Sequence, residues 1–237
     1  MTWSIIALDK TTGQIGIAVT TKFLAVGARV PHIAAGIGGI ATQALVNCYY
    51  GIDGVKLLGE GKSPQEIIPI LLAGDNGRES RQLHILDAQG RIAAHTGKDC
   101  VDWCGHLPGY GFSVAGNMLT GPRVLEDTAK TYAANKSLPF AQRLVAAMQA
   151  GEAAGGDKRG KQSAALVIWT TEEYPAVSLR VDDHPDPLAE LERLENVGRQ
   201  RLFHYVKFMP SRANPGGTLD RDTIEAGIAK AVAEQDN

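Results

Sequence analysis

The sequence predicts an α+β protein built as a four-layer αββα sandwich, two antiparallel sheets stacked between helical layers. Three observations lead there. Short β-rich runs come in hairpins instead of alternating singly with helices. Helical patterns fall in pairs between those hairpins. Several strand-like runs are apolar on both faces, so each needs cover on both sides. A chain of 237 residues fits one large domain or two small ones and is long enough to bury a sizeable core.

Residues 3–8 (WSIIAL) and 14–20 (QIGIAVT) are strands joined by the hairpin turn Asp9-Lys10-Thr11-Thr12-Gly13. The glycine- and alanine-rich stretch FLAVGARVPHIAAGIGGIATQA reads as one strand region that comes close to another layer or to a ligand. A helical pattern takes over at Ala44 and breaks near Gly51. A second helix is expected over 63–73, with Ser63 as N-cap, Pro64 in the first turn and Glu66 closing a capping box. RQLHILDAQGRIAAHTG reads as a hairpin turning at Asp87-Ala88-Gln89-Gly90, and 111–115 as a strand ending in Gly116-Asn117. Helices are expected from about Pro122 to Thr131 and from Pro139 to Ala150. The loop GEAAGGDKRGKQ follows, then a hairpin of SAALVIWT and AVSLRVDD. Asp186-Pro187 starts an amphipathic helix through about Tyr205, and 218–235 forms a last surface helix. Residues 1–200 are expected to form the main domain, with 201–237 a helical extension packed on it.

Composition excludes several function classes. With 21% charged residues and a net charge of −2, nothing favours nucleic acid or an anionic membrane as a partner. Cys48, Cys100 and Cys104 are an odd set that makes no disulfide framework and suits a reducing compartment. No basic n-region with an apolar h-region opens the chain, and no run of about eighteen apolar residues occurs, so a cytoplasmic protein is expected. The helix containing ELERLENVGRQRL is a packing or dimerisation helix, and a homo-oligomer is expected.

Seven segments carry a family resemblance: TWSIIALD, TTKFLAVGARVPH, GIGGIATQALVN, HTGKDCVDWCGH, VAGNML, GGDKRGKQSAALV and VDDHPDPLAELERL. In that order, over about residues 2–195, the chain resembles an uncharacterised bacterial and archaeal domain-of-unknown-function family (1028-like). That family is placed in the N-terminal nucleophile hydrolase superfamily. The resemblance implies the αββα fold and an amidohydrolase acting on a small or peptide-like amide, with no cofactor. The rival expectation is a non-enzymatic ligand-binding or assembly protein of the same fold that keeps Met1.

In such enzymes an N-terminal hydroxyl attacks a carbonyl and the free α-amine, with a pKa near about 8, is the base. Thr2 qualifies once Met1 is removed; without the resemblance it is an ordinary strand residue. Lys22, just past the second strand, is expected to lower the amine's pKa and polarise the hydroxyl, unless it is a surface lysine. In Gly155–Ser163, glycine backbone with Lys158, Arg159 and Lys161 offers a nest for a carboxylate or a phosphate, and in the amidohydrolase reading for a substrate carboxylate, involving Arg159 and Gln162. Related folds imply that Asp157 or Ser163 bonds the nucleophile's amine. The competing reading of that stretch is a solvated loop.

Asn117 is a candidate oxyanion donor or a turn residue. Thr42, Gln43 and Asn47 line a pocket or cap the helix that follows. His95, Cys100, Cys104 and His106 invite a zinc reading, but the spacing fits no structural zinc pattern and no metal is expected. The family pattern implies equivalents of His95 and Cys100 but not dependably of Cys104, which weakens zinc further, and His95 is counted among the substrate-binding candidates. Hydrolysis by Ser163 or Cys104 with a histidine partner is the remaining chemical alternative.

Overall fold

The computed structural model describes residues 2–235. Met1, on which processing turns, lies outside the described residues. Strands β1 (Thr2–Leu8) and β2 (Ile15–Thr21) form the first hairpin, with Trp3 opposite Thr20 and Leu8 opposite Ile15. The glycine-rich stretch is a second hairpin, not one strand: β3 (Pro31–Ala34) and β4 (Gly38–Ala44) pair antiparallel. Gly36, at φ +66°, makes the tight turn between them, a backbone region that residues with a Cβ avoid.

Helix α1 (Cys48–Gly59) starts later than the sequence pattern suggests, because Asn47 caps it by accepting the Tyr49 N–H at 3.1 Å. It also runs through Gly51 without a break. A Cβ at Gly51 would sit 2.1 Å from the His32 ring, and one at Gly54 2.2 Å from Ile40, so these glycines permit close packing on β3 and β4. Helix α2 (Pro64–Ala73) begins as expected: the Glu66 carboxylate accepts from the Ser63 main-chain N–H at 2.8 Å and from its hydroxyl at 2.6 Å.

Strands β5 (Arg81–Asp87) and β6 (Ile92–Thr96) form the third hairpin. β7 (Gly105–Gly109) pairs with β8 (Phe112–Asn117); β7 was not expected, because GHLPG has the composition of a loop and serves here as a sheet edge. Helices α3 (Arg123–Ala134) and α4 (Phe140–Ala153) each run three residues beyond their expected ends. β9 (Ser163–Trp169) and β10 (Val177–Val181) close the strand set. The expected helix from Pro187 to Tyr205 divides at Arg201 into α5 (Pro187–Gln200) and α6 (Leu202–Tyr205), and α7 (Arg221–Gln235) ends the described chain. The last segment packs back: Arg201 pairs with Glu225, Ile224 and Ile228 are buried, and Tyr174 donates to the Pro210 carbonyl at 2.6 Å. Among the described residues no helix is long and apolar enough to cross a membrane.

The strands build two antiparallel sheets, β10-β9-β2-β1-β8-β7 and β3-β4-β5-β6. Helices α1 and α2 cover the four-stranded sheet through Ile40, Tyr50, Ile67, Leu83 and Ile85. Helices α3, α4 and α5 cover the six-stranded sheet through Trp3, Ile5, Tyr132, Leu144, Met148 and Leu191. Between the sheets lies a third apolar cluster that includes Ile6, Ile17, Val19, Ala41 and Leu86. The expected layering is therefore the observed one. Strand alternation gives β1 two roles: Trp3, Ile5 and Ala7 face the helices, while Thr2, Ser4 and Ile6 face the other sheet.

Candidate active site

β1 and β2 are seven residues each and pair in full register, so the first residue of β1 meets the last of β2. At that end of the six-stranded sheet four strand ends line up. Asn117 on β8 lies opposite Thr2 on β1, and Thr21 on β2 opposite Ser163 on β9. The Thr2 hydroxyl donates to that of Thr21 at 3.1 Å. Thr2 is only 7% exposed, at the border between the sheet interior and solvent.

Behind Thr2 the inter-sheet space is polar. Gln43 on β4 sends its amide nitrogen to the Gln82 amide oxygen at 2.8 Å, to the Ala115 carbonyl at 3.1 Å and to the Thr2 carbonyl at 3.4 Å. Its amide oxygen accepts from the Ser4 hydroxyl at 2.8 Å. Asn117 donates to the same Gln82 oxygen at 3.0 Å and to the Thr2 carbonyl at 3.4 Å. The His84 ring lies between two serines, with Nε2 2.9 Å from Ser4 and Nδ1 3.0 Å from Ser113. These bonds settle the histidine tautomer. Ser4 gives its hydrogen to Gln43, so it accepts from His84 Nε2–H, and Nδ1 accepts from Ser113. Complete burial, with a smaller contribution from His106, lowers the His84 pKa to about 3, and the ring is neutral. A buried polar layer of this kind is stable only when every member is paired.

In front of Thr2 stands the glycine-rich loop after α4. The Asp157 carboxylate, its side chain 1% exposed, accepts from the Lys22 main-chain N–H at 2.9 Å and the Arg159 main-chain N–H at 2.8 Å. The Arg159 guanidinium lies 3.3 Å from it. Asp157 thus ties the loop to the residue that follows Thr21. Gln162 donates its main-chain N–H to the Thr21 carbonyl at 2.9 Å and its amide to Asp183 at 3.0 Å. Ser163 donates its hydroxyl to the Phe23 carbonyl and accepts from the Val26 N–H at 3.2 Å, anchoring the loop that leaves β2.

The structure therefore brings Thr2, Asn117, Asp157, Arg159, Gln162, Ser163 and Gln43 to one end of the sandwich, though not all in the expected roles. The Lys22 ammonium is exposed and donates to the Lys161 carbonyl at 3.4 Å, not to Thr2. Asn117 directs its amide at Gln82 and at the carbonyl of Thr2 itself. Asn47 caps α1, while Thr42 donates to the Asn47 carbonyl at 3.1 Å and so braces the cap residue without itself capping the helix. His95 lies apart: it pairs with Leu83, whose side chain faces the helices, and its ring donates to the Arg78 carbonyl at 2.9 Å. Cys100 and Cys104 are free thiols whose pKa values burial raises, that of Cys100 to about 11. Among the described residues no group of three acidic, histidine or cysteine side chains is placed to hold a metal ion.

Four members of the site escaped sequence reasoning: Ser4, Gln82, His84 and Ser113. A signal was present. Polar residues alternate at Thr2 and Ser4, at Gln82 and His84, and at Ser113 and Asn117 with even spacing, which puts each set on one face of its strand.

Comparison with known proteins places this geometry in a family. The chain matches a family of unknown function, DUF1028, over residues 2–191, and it belongs to that family. It is similar to the crystal structure of protein SPO2555 from Silicibacter pomeroyi, assigned to the same family. The two are 33% identical, the match covers 93% of this chain and 96% of that one, and the TM-score is 0.86. A remoter likeness, at 11% identity and a TM-score of 0.42, covers 84% of this chain and 94% of Anbu (ancestral beta-subunit) from Yersinia bercovieri. No curated protein matches the chain.

Proposed function

We propose that this protein is an amidohydrolase of the N-terminal nucleophile type, with Thr2 as the nucleophile after removal of Met1. The observation that carries the reading is the placement of Thr2: its hydroxyl lies 3.1 Å from the Thr21 hydroxyl at a strand end, while two buried amides hold its carbonyl. A reacting hydroxyl needs this kind of fixed seat at the edge of solvent. In the reaction the neutral α-amine takes the proton from Thr2 Oγ1 as the oxygen attacks the amide carbonyl. The C–N bond then breaks, the proton passes to the departing amine, and an ester to Thr2 remains. Water, deprotonated by the same amine, attacks the ester carbonyl; the bond to Thr2 Oγ1 breaks, the amine returns the proton to Oγ1, and the acid is released.

The substrate in this reading is a small or peptide-like amide whose carboxylate meets the 155–163 loop near Arg159 and Gln162. The Arg159 guanidinium, shared with Asp157, supports that assignment. The same reading makes the protein a cytoplasmic homo-oligomer, with residues 201–237 an extension on the main domain.

Mass spectrometry of the native N-terminus, followed by Thr2→Ala against a panel of small amides and acyl-amino acids, tests the proposal. The expected result is a processed N-terminus and loss of turnover in a variant that still folds. Met1 retained in active protein, or turnover unchanged in Thr2→Ala, overturns it and favours hydrolysis by Ser163 or Cys104. Met1 retained with no turnover of any amide overturns it in favour of the ligand-binding or assembly alternative.

A further inference from the structure

Gln82 sits on β5, in the middle of the four-stranded sheet, and is fully buried. Its amide orientation is determined by its surroundings. The nitrogen faces three acceptors, the Gly116 carbonyl at 2.8 Å, the Gly105 carbonyl at 3.0 Å and the Thr96 hydroxyl at 3.0 Å. The oxygen accepts from Gln43 at 2.8 Å and Asn117 at 3.0 Å. A flipped amide would set donors against donors and acceptors against acceptors.

The two amides gathered on Gln82 share a second target. Each also approaches the Thr2 carbonyl oxygen, at 3.4 Å from either side. We propose that Gln82 is a positioning residue for Thr2, acting through Gln43 and Asn117. By holding one hydrogen of each amide, it fixes the orientation of both: the second hydrogen of Asn117 is left for the Thr2 carbonyl, and that of Gln43 is shared between the Ala115 carbonyl at 3.1 Å and the Thr2 carbonyl at 3.4 Å.

The need for such a device follows from the topology. Thr2 is the first residue of β1, where the pairing to Asn117 on β8 holds the main chain in the sheet and Gln43 reaches it from the facing sheet. Displacements of about 1 Å at a nucleophile are costly, so side-chain bonds from behind add to the strand pairing in seating Thr2. Gln43 is itself fixed at both ends, because its oxygen accepts from Ser4 in the chain running to His84. The consequence for catalysis rests on the reading of Thr2 as nucleophile; the effect of Gln82 on the Thr2 main chain does not.

Thr2-Trp3 is the only Thr-Trp pair in the sequence. Protein labelled with 13C-carbonyl threonine and 15N tryptophan therefore gives a single carbonyl-to-amide NMR cross-peak, and that peak reports the Thr2 carbonyl. Gln82→Met keeps the side-chain length and removes the acceptor. The expected result is an upfield move of the Thr2 carbonyl carbon, as its hydrogen bonds weaken, with Gln82→Glu, which retains an acceptor oxygen, returning towards the wild-type position. In processed protein kcat falls in Gln82→Met with little change in KM and recovers in part in Gln82→Glu.

A Thr2 carbonyl unmoved in folded Gln82→Met overturns the proposal, whatever the activity. If Gln82→Met does not fold, a wild-type crystal structure decides: Gln82 Oε1 out of hydrogen-bond reach of either amide overturns it, and both contacts intact support it. A moved peak together with full turnover in Thr2→Ala leaves the positioning role standing and removes the nucleophile reading instead.

Discussion

The two faces of β1 look into interiors held by different physics. On one side Trp3, Ile5 and Ala7 pack with Tyr132, Leu144 and Met148 in an apolar cluster. On the other, Thr2 and Ser4 enter the hydrogen-bonded layer shared with Gln43, Gln82, His84 and Asn117. Apolar packing has no direction and responds mainly to lost volume. The polar layer has a sense at every bond, so one wrong group leaves another buried and unpaired. The helix-facing side even leaves the Trp3 indole N–H without a partner, which the polar side does for none of its members named here. The difference teaches that bulk stability and positional precision are drawn from opposite faces of one strand.

Substitutions that separate volume from hydrogen bonding sharpen this contrast. The largest effect is expected from Trp3→Ala, which empties a fully buried site on the apolar face and lowers stability by about 3–5 kcal/mol in urea unfolding. A loss below about 1 kcal/mol would show that the apolar face does not carry the fold. Ser4→Ala removes little volume but leaves both His84 Nε2–H and the Gln43 oxygen unpaired, at a cost of about 1–3 kcal/mol. Near-neutral behaviour of that variant would mean that water or rotation repairs the layer. Acid gives the next effect. Folded His84 titrates at about 3 against an ordinary 6.5, so between those values the unfolded chain binds the proton and the folded one does not. The stabilisation is complete above pH 6.5 and is lost as pH falls towards 3, at up to about 1.4 kcal/mol per pH unit. In a urea-against-pH series His84→Leu should start less stable at neutral pH yet lose less on acidification. Parallel curves for the two proteins would contradict the assigned burial.

The same division explains what the sequence made readable. The hairpins and the α2 capping box depend on residues close together in the chain, such as Ser63 and Glu66, and the layering is legible from apolar patterns within single segments. The polar layer depends on strands that meet only after folding: Ser4 and His84 are 80 positions apart, and Thr2 and Asn117 are 115 apart. Gln43 and Asn117 stand out in the sequence as polar residues beside glycines, but what they hold depends on the facing sheet. Lys22 directly follows β2 and its backbone meets Asp157, yet a flexible four-carbon stem carries its charge to the Lys161 carbonyl. Gly51 misled in the opposite direction, since a residue that weakens a helix locally is required where His32 presses against it.

The smallest energetic effect is also the one that tests the contrast most directly. Thr21 is buried in line with Thr2, and its hydroxyl oxygen accepts from that of Thr2. Thr21→Val keeps the branched shape and removes that oxygen, so the change in unfolding free energy should be about 1 kcal/mol or less. Turnover in the processed protein should nevertheless fall about tenfold, because one bond's worth of orientation, ~1.4 kcal/mol, is lost at the reacting atom. KM should hold, since no substrate contact is assigned to Thr21. If Thr21→Val instead destabilises as much as Ser4→Ala and leaves kcat unchanged, Thr2 belongs with the structural hydroxyls of the layer, and precision at this end of β1 serves folding alone.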